Sequence, residues 1–140
     1  MAVDNQITVL GNLTADPELR YTNNGAAVTD LRIAVNRRWQ KDGDWVEETS
    51  FFDVTTWATL AENVAESLSS GNRVTIVGRL EEQRWEDKDS GEARRKVVIV
   101  ADDVAPSLRW ATAVMTRQSG KGGAGAAPRK AVASGGGDPF

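Results

Sequence analysis

Residues 51–80 carry the strongest fold signal in the chain, and they read FFDVTTWATLAENVAESLSSGNRVTIVGRL. The stretch begins with a run rich in aromatic and β-branched residues, which favours a strand. Leu60, Val64 and Leu68 then recur every four residues, which is the spacing of one apolar face of a helix. From Arg73 onward, apolar and polar residues alternate again, as they do in a strand. The sequence here predicts strand, helix, strand.

The ends of this helix carry their own signals. Thr59 is followed three residues later by Glu62, which is the pattern of a capping box at a helix N-terminus. Gly71 lies where a left-handed residue would end the helix. We therefore expect a single helix between Thr59 and Gly71.

Short β-like runs flank this centre on both sides. Residues 6–10 and 28–36 precede it, and Asp42-Gly43 indicates a turn within a long hairpin before Phe51. A last run, 93–104, follows the strand that begins at Arg73. Three strands, a helix and two strands predict an all-β fold with one short helix. In a chain of this size the order fits a five-stranded Greek-key OB-fold barrel with long hairpin extensions, although other small β-barrels remain possible.

The chain of 140 residues has room for one domain and a tail. We assign residues 1–110 to the barrel and residues 111–117 to a connection. Residues 118–137 consist mostly of Gly, Ala and Ser, a composition typical of a flexible linker. Residues 138–140 form a separate tip.

Composition excludes many reaction classes. Cysteine and histidine are both absent, so disulfides, thiol nucleophiles and the commonest general base and metal ligands are excluded. We expect no enzyme activity, no cofactor and no metal, and a hydrolase that uses carboxylates is the enzyme alternative. There is no apolar run of about 18 residues and no secretory signal, so we expect a cytoplasmic protein without a membrane partner.

The charge is divided unevenly along the chain. The net charge is −3, with 13 basic and 19 acidic side chains in residues 1–110 and four basic and one acidic in residues 111–140. Nucleic-acid binders are usually basic overall, and this chain is not. Any affinity for nucleic acid must therefore come from local arrangement and from stacking.

Several aromatic residues fall on the polar sides of their strands. Strand alternation places Phe51 and Trp57 with Asp53, and Trp85 with Arg79. Rings beside guanidinium groups on a sheet can stack on nucleobases while arginine contacts phosphate. A subunit interface or a second small core would explain the same pattern, and the pattern leaves both open.

Alternation does not settle Trp39, because it places this ring with Ile33 and Val35 on the core side. Either the strand bulges before Trp39, or the residue lies in the hairpin arm. Basic residues that lie close to the aromatic residues in sequence, or share a strand face with one of them, are candidate phosphate contacts, each with a solvated surface charge as the alternative. They are Arg37, Arg38, Lys41, Arg73, Arg79, Arg84, Lys88, Arg94, Arg95 and Lys96.

Over about residues 3–110 the chain resembles the bacterial single-stranded DNA-binding proteins. The resemblance rests on Val9–Leu13, Asp16–Tyr21, Leu60–Val64, Val77–Leu80 and Arg84-Trp85. It implies an OB-fold homotetramer that binds and protects single-stranded DNA, independent of sequence, in replication, recombination and repair at the nucleoid. An OB-fold module that binds a protein partner or RNA through the same aromatic face is the alternative.

The resemblance also implies roles for particular residues. The family's four base-stacking positions fall on Trp39, Phe51, Trp57 and Trp85. In one branch of the family a segment after the barrel clamps neighbouring subunits, which assigns Leu108 and Trp110 to a subunit interface rather than to DNA.

The tip departs from the family pattern. The family closes with several acidic residues before Pro-Phe, and here only Asp138 precedes Pro139 and Phe140. We therefore predict weak recruitment of replication and repair proteins. The departure favours a specialised paralogue.

Overall fold

A computed structural model describes residues 5–118. The described chain is mostly β with one short helix, and five long strands form a closed barrel, so the predicted OB-type architecture is confirmed. The sheet order is β1-β5-β6-β4-β3-β2, and pairing of β1 with β3 closes the barrel. The elements are β1 (Ile7–Leu13), β2 (Glu18–Tyr21), β3 (Ala27–Lys41), β4 (Asp44–Trp57), α1 (Ala58–Ser67), β5 (Arg73–Glu86) and β6 (Ala93–Pro106).

The barrel closes where β1 changes partner. Most of β1 pairs with β5, but Asn12 and Leu13 also pair with Ala34 and Ile33 of β3. The approach is close at Gly11, where a Cβ would lie 2.8 Å from the Ala34 carbonyl oxygen. A glycine is therefore required at this point. The core inside the barrel consists of Leu13, Leu31, Ile33, Val54, Val64, Leu68, Val74, Ile76, Ile99 and Ala101.

Strands β3 and β4 form the predicted long hairpin. Asp42 and Gly43 connect them and both have positive φ, 52° and 85°. Positive φ at both central residues is the geometry of a type I′ turn, whose twist matches that of the flanking strands. The pairing runs without a register shift from Lys41↔Asp44 to Val28↔Trp57. We call the part of this hairpin between residues 36 and 49 the β3–β4 arm.

Strands β5 and β6 form a second long hairpin, with a bulge near its base. The register shifts between Val77, which faces Asp103, and Gly78, which faces Ala101. The unpaired extra residue, Asp102, is therefore on β6, and β5 keeps its alternation. At Gly78 a Cβ would lie 2.2 Å from the Val100 carbonyl oxygen, so no larger residue fits without a backbone shift.

Helix α1 follows β4 without a loop. Trp57 occupies the N-cap position and no side chain caps the helix, so the prediction that Thr59 is the N-cap is wrong. The chain turns into the helix through Ala58, whose φ is 58°, and this places Thr59 already within the first turn. Gly71 has positive φ as expected, but it lies in the turn after the helix, where its N–H donates to the Leu13 carbonyl.

Two buried threonines tie the helix to the barrel. Thr56 Oγ1 donates a hydrogen bond to the Thr29 carbonyl, and Thr29 Oγ1 donates to the Ala61 carbonyl, both at 2.9 Å. Both threonines are fully buried. This chain of hydrogen bonds fixes the first turn of α1, and therefore the backbone that follows Trp57. Within residues 5–118 no helix is long and apolar enough to cross a membrane.

Two features of the strands were not predicted. Strand β2 is exposed along its whole length, so it lacks the apolar alternation by which strands are identified. It pairs with the edge of β3. Leu80 has the parity of the core residues of β5 but is exposed, because β5 continues past the end of the barrel.

Candidate nucleic-acid interface

One side of the sheet carries most of the predicted stacking residues. We call it the outer side and define it by the odd-numbered residues of β4 from Phe51 to Trp57, together with the residues that pair with them. Phe51 and Trp57 lie on it with exposed fractions of 52% and 45%. The intervening odd residues, Asp53 and Thr55, are half-buried. Both rings are therefore open to solvent on the polar side of β4, as alternation predicts.

The outer side continues across β6 onto β5. Thr55 of β4 is beside Val100 of β6, and Val100 is opposite Arg79 of β5. Val98 and Val100 are buried although they face outward, so they form an apolar floor between the polar side chains. Trp85 shares the parity of Arg79 on β5 and is 49% exposed. Phe51, Trp57 and Trp85 thus surround a floor of small apolar residues.

Asp53 lies at the centre of the charges on this side. Its carboxylate is 3.1 Å from Lys96 Nζ and 4.0 Å from Arg32 Nε. The Arg32 guanidinium lies over the Phe51 ring, 4.9 Å from its centroid, which is within the range of a cation–π contact. Sequence reasoning missed Arg32. The two-residue turn sets the register of the hairpin, and this register pairs Arg32 with Asp53 and places it diagonal to Phe51. Arg32 could therefore have been identified from the sequence.

Trp39 lies on the opposite side of the β3–β4 arm. The pairing contains no bulge, so Trp39 keeps the parity of Ile33 and is exposed because the arm extends beyond the barrel. Of the two explanations left open by the sequence, the arm is therefore correct. The Arg37 guanidinium lies over its ring at 5.4 Å, and Arg37 also pairs with Glu48.

The ten predicted phosphate-contacting residues differ in the side of the sheet on which they lie and in whether they form ion pairs with carboxylates. On β5 and β6, Arg79, Arg94 and Lys96 share the side of Trp85, whereas Arg84 and Arg95 face the other side. Six of the ten predicted residues are paired with carboxylates, namely Arg37, Arg79, Arg84, Arg94, Arg95 and Lys96. Within residues 5–118 the other four, Arg38, Lys41, Arg73 and Lys88, form no ion pair.

Arg73 lies at the opposite end of β5 from Trp85. It begins β5 opposite Asn12, twelve residues from Trp85 and so about 40 Å away along an extended strand. Its guanidinium lies over the Trp110 ring at 4.9 Å, in a groove between α1 and the segment after β6. Its role as a phosphate contact remains a prediction.

The segment after the barrel is extended and exposed. Leu108 and Trp110 have exposed fractions of 64% and 73%, and Arg109 also lies over the Trp110 ring at 4.9 Å. Their predicted role at a subunit interface remains a prediction. The predicted partner-binding residues, Asp138, Pro139 and Phe140, lie outside the described residues, as does almost all of the predicted linker.

Comparison with known proteins identifies the family of this barrel. A model described as the single-strand binding protein family matches residues 4–107. The chain belongs to this family. Proteins named single-stranded DNA-binding protein are similar to it over most of its length. The one from Mycobacterium tuberculosis is 42% identical over 147 residues, covering 100% of this chain and 89% of the relative. The one from Mycolicibacterium smegmatis is 46% identical over 125 residues, covering 87% and 75%.

The relatives differ in how far they extend past the matched part. The single-stranded DNA-binding protein of Corynebacterium glutamicum is 46% identical to this family member over 117 residues. The match covers 81% of this chain but only 52% of the relative. The family match ends at residue 107, before Leu108 and Trp110.

Proposed function

We propose that this protein binds and protects single-stranded DNA without regard to its sequence, in replication, recombination and repair. Bases would stack on Phe51, Trp57 and Trp85 of the outer side, with Trp39 on the arm as a further contact. The unpaired basic residues and the released members of ion pairs would contact phosphates. The family and the names of its relatives support this proposal.

One observation carries the proposal: large aromatic rings stand half-exposed beside guanidinium groups on an uncovered sheet face. Every base offers a π-face, so stacking does not depend on sequence and contributes about 1–3 kcal/mol per base. The carboxylates of Asp53 and Glu81 are paired with arginine or lysine rather than with each other. We therefore propose a binding protein and not an enzyme.

A titration with oligo-dT tests the proposal. Tryptophan fluorescence should fall strongly on binding, and affinity should weaken as salt rises. Trp57→Ala should lower affinity by about 1–3 kcal/mol and leave the fold intact. Absence of binding would favour an OB module for a protein partner, and tighter binding of a matched RNA oligomer would favour an RNA-binding protein.

We propose further that the protein assembles as a homotetramer. Three exposed apolar residues have the same strand parity as the core residues, and so face away from the outer side. They lie where the strands extend beyond the barrel. Phe52 faces Ile33, Leu80 faces Ile99, and Val97 faces Glu82. Their exposed fractions are 41%, 44% and 58%. Apolar side chains at these positions supply the hydrophobic contact area that a subunit interface requires. Light scattering measures the assembly directly.

The remaining parts of the proposal follow from this function. Unpaired DNA arises at the nucleoid. We therefore propose that the protein is cytoplasmic and associates with the nucleoid. The tip, with one acidic residue, would recruit protein partners weakly. Binding of a peptide covering residues 130–140 to a family partner, compared with a peptide that carries several acidic residues before Pro-Phe, measures this recruitment.

A further inference from the structure

We propose that Trp45 and Arg38 form an additional base-stacking subsite on the β3–β4 arm, so that the DNA path continues from Phe51 toward the hairpin turn. This inference rests on the proposed binding of single-stranded DNA. Neither residue is among the four stacking positions implied by the family resemblance.

The register of the hairpin carries the first step. Arg32 faces Asp53 and its guanidinium lies over Phe51, two residues away on β4, at 4.9 Å. Six positions nearer to the turn, the same arrangement recurs. Arg38 faces Glu47 and its guanidinium lies over Trp45, again two residues away, at 5.1 Å. The two pairs are thus equivalent by a translation of six residues along each strand.

Parity keeps the two pairs on one side of the hairpin. Phe51 and Trp45 are separated by an even number of residues, and no register shift interrupts the pairing between them. Trp39, in contrast, has the opposite parity and faces the other side. A strand of DNA lying on Phe51 therefore meets Trp45 next along the hairpin, without having to cross its edge.

Exposure and charge favour a nucleic-acid ligand at Trp45. Its ring is 63% exposed, more than that of Phe51 at 52%. Arg32 shares Asp53 with Lys96, whereas Arg38 forms no ion pair within residues 5–118 and is free to contact a phosphate. A flat exposed ring beside an unpaired guanidinium can bind a base and its adjoining phosphate together.

The spacing between the pairs suits a short run of nucleotides. Six residues of strand span about 20 Å. At a rise of about 3.4 Å per nucleotide the gap is covered by at most about six stacked nucleotides. Between the two rings this side of β4 carries Glu47, which faces Arg38, and Thr49, whose Oγ1 donates a hydrogen bond to Asn36 Oδ1 at 2.6 Å. The surface between the two rings is therefore polar and contains no further aromatic ring.

A variant in which Trp45 is the sole tryptophan tests the subsite directly. Trp39, Trp57, Trp85 and Trp110 are each replaced by phenylalanine in the full chain, and the variant is titrated with oligo-dT. Quenching of the remaining fluorescence on binding is expected, because a base then stacks on Trp45. Binding without quenching would overturn the subsite. Failure of the native protein to bind oligo-dT would instead overturn the proposed function.

Single substitutions in the native chain provide an independent test of the subsite, which applies even if the sole-tryptophan variant does not fold. Trp45→Ala should weaken binding of long oligo-dT by about 5- to 150-fold, the range that one stacked base supports. Trp45→Phe should restore most of the affinity because it restores a ring. Tyr21→Ala is the control, since Tyr21 is similarly exposed, at 59%, but lies on β2. Equal affinity of Trp45→Ala and Tyr21→Ala would refute the proposal.

Discussion

Neutralising Asp53 should strengthen DNA binding, although it removes a residue from the middle of the proposed interface. The carboxylate lies 3.1 Å from Lys96 and 4.0 Å from Arg32, beside the exposed Phe51 ring. In the free protein it therefore occupies two cations that would otherwise contact phosphates. It also repels any phosphate that approaches Phe51.

The size of the effect follows from the geometry. All three side chains are between 43% and 61% exposed, so each ion pair is worth at most about 1 kcal/mol in water. Asp53→Asn removes both pairs, so Arg32 and Lys96, which the carboxylate holds in the native protein, become free to contact phosphates. We expect affinity at low salt to rise by about 0.4–2 kcal/mol. Two more cations would then exchange salt ions for phosphates, which steepens the slope of log K against log salt by about 1.4 for a single strand.

The assay is a series of oligo-dT titrations across a range of salt concentrations. Glu66→Gln, on the exposed face of α1, is the matched control because it makes the same change in net charge away from the sheet. The control should leave the slope unaltered. An Asp53→Asn protein that is folded but binds less tightly at low salt, or that keeps the slope of the native protein, would refute this account of the interface.

Two further predictions concern the segment that positions Trp57. Thr29→Val should lower the free energy of unfolding by about 1 kcal/mol, because the Ala61 carbonyl loses a buried hydrogen bond. Denaturant unfolding measures it, and an equal loss from Thr55→Val, whose hydroxyl is near the surface, would contradict the prediction. Ala58→Gly should raise stability by up to about 1 kcal/mol, since glycine adopts a φ of 58° without the steric cost that alanine carries. Thermal unfolding measures this change, and a lower melting temperature would disprove it.

Local patterns in the sequence predicted the elements well where one side of a strand is buried. The period of two in β5 placed Val74 and Ile76 in the core, and the period of four through α1 and its C-cap residue placed Val64 and Leu68 there, as the structure confirms. Strand β2 escaped prediction because neither of its sides is covered. Hydrophobic periodicity reports burial, so it cannot reveal a strand held by backbone pairing alone.

Alternation predicted the side on which a residue lies but not whether anything covers it. Phe52 and Leu80 have core parity and are nevertheless exposed, because their strands run beyond the end of the barrel. The place where a barrel ends depends on how distant strands close, which no local pattern contains. The side of the hairpin on which Trp45 lies could have been predicted from the sequence, because the Asp42-Gly43 turn fixes every residue pair in the hairpin.

The strict alternation along β4 has a consequence for genetics. Between Phe51 and Val54, neighbouring codons specify residues on opposite faces of one ribbon, the first on the proposed DNA-binding side and the next on the side of the core and of the proposed subunit interface. Alleles at adjacent codons should therefore fall into different phenotypic classes. Changes at position 51 should yield stable proteins that fail to protect DNA, whereas changes at position 52 should yield proteins that bind DNA but assemble poorly.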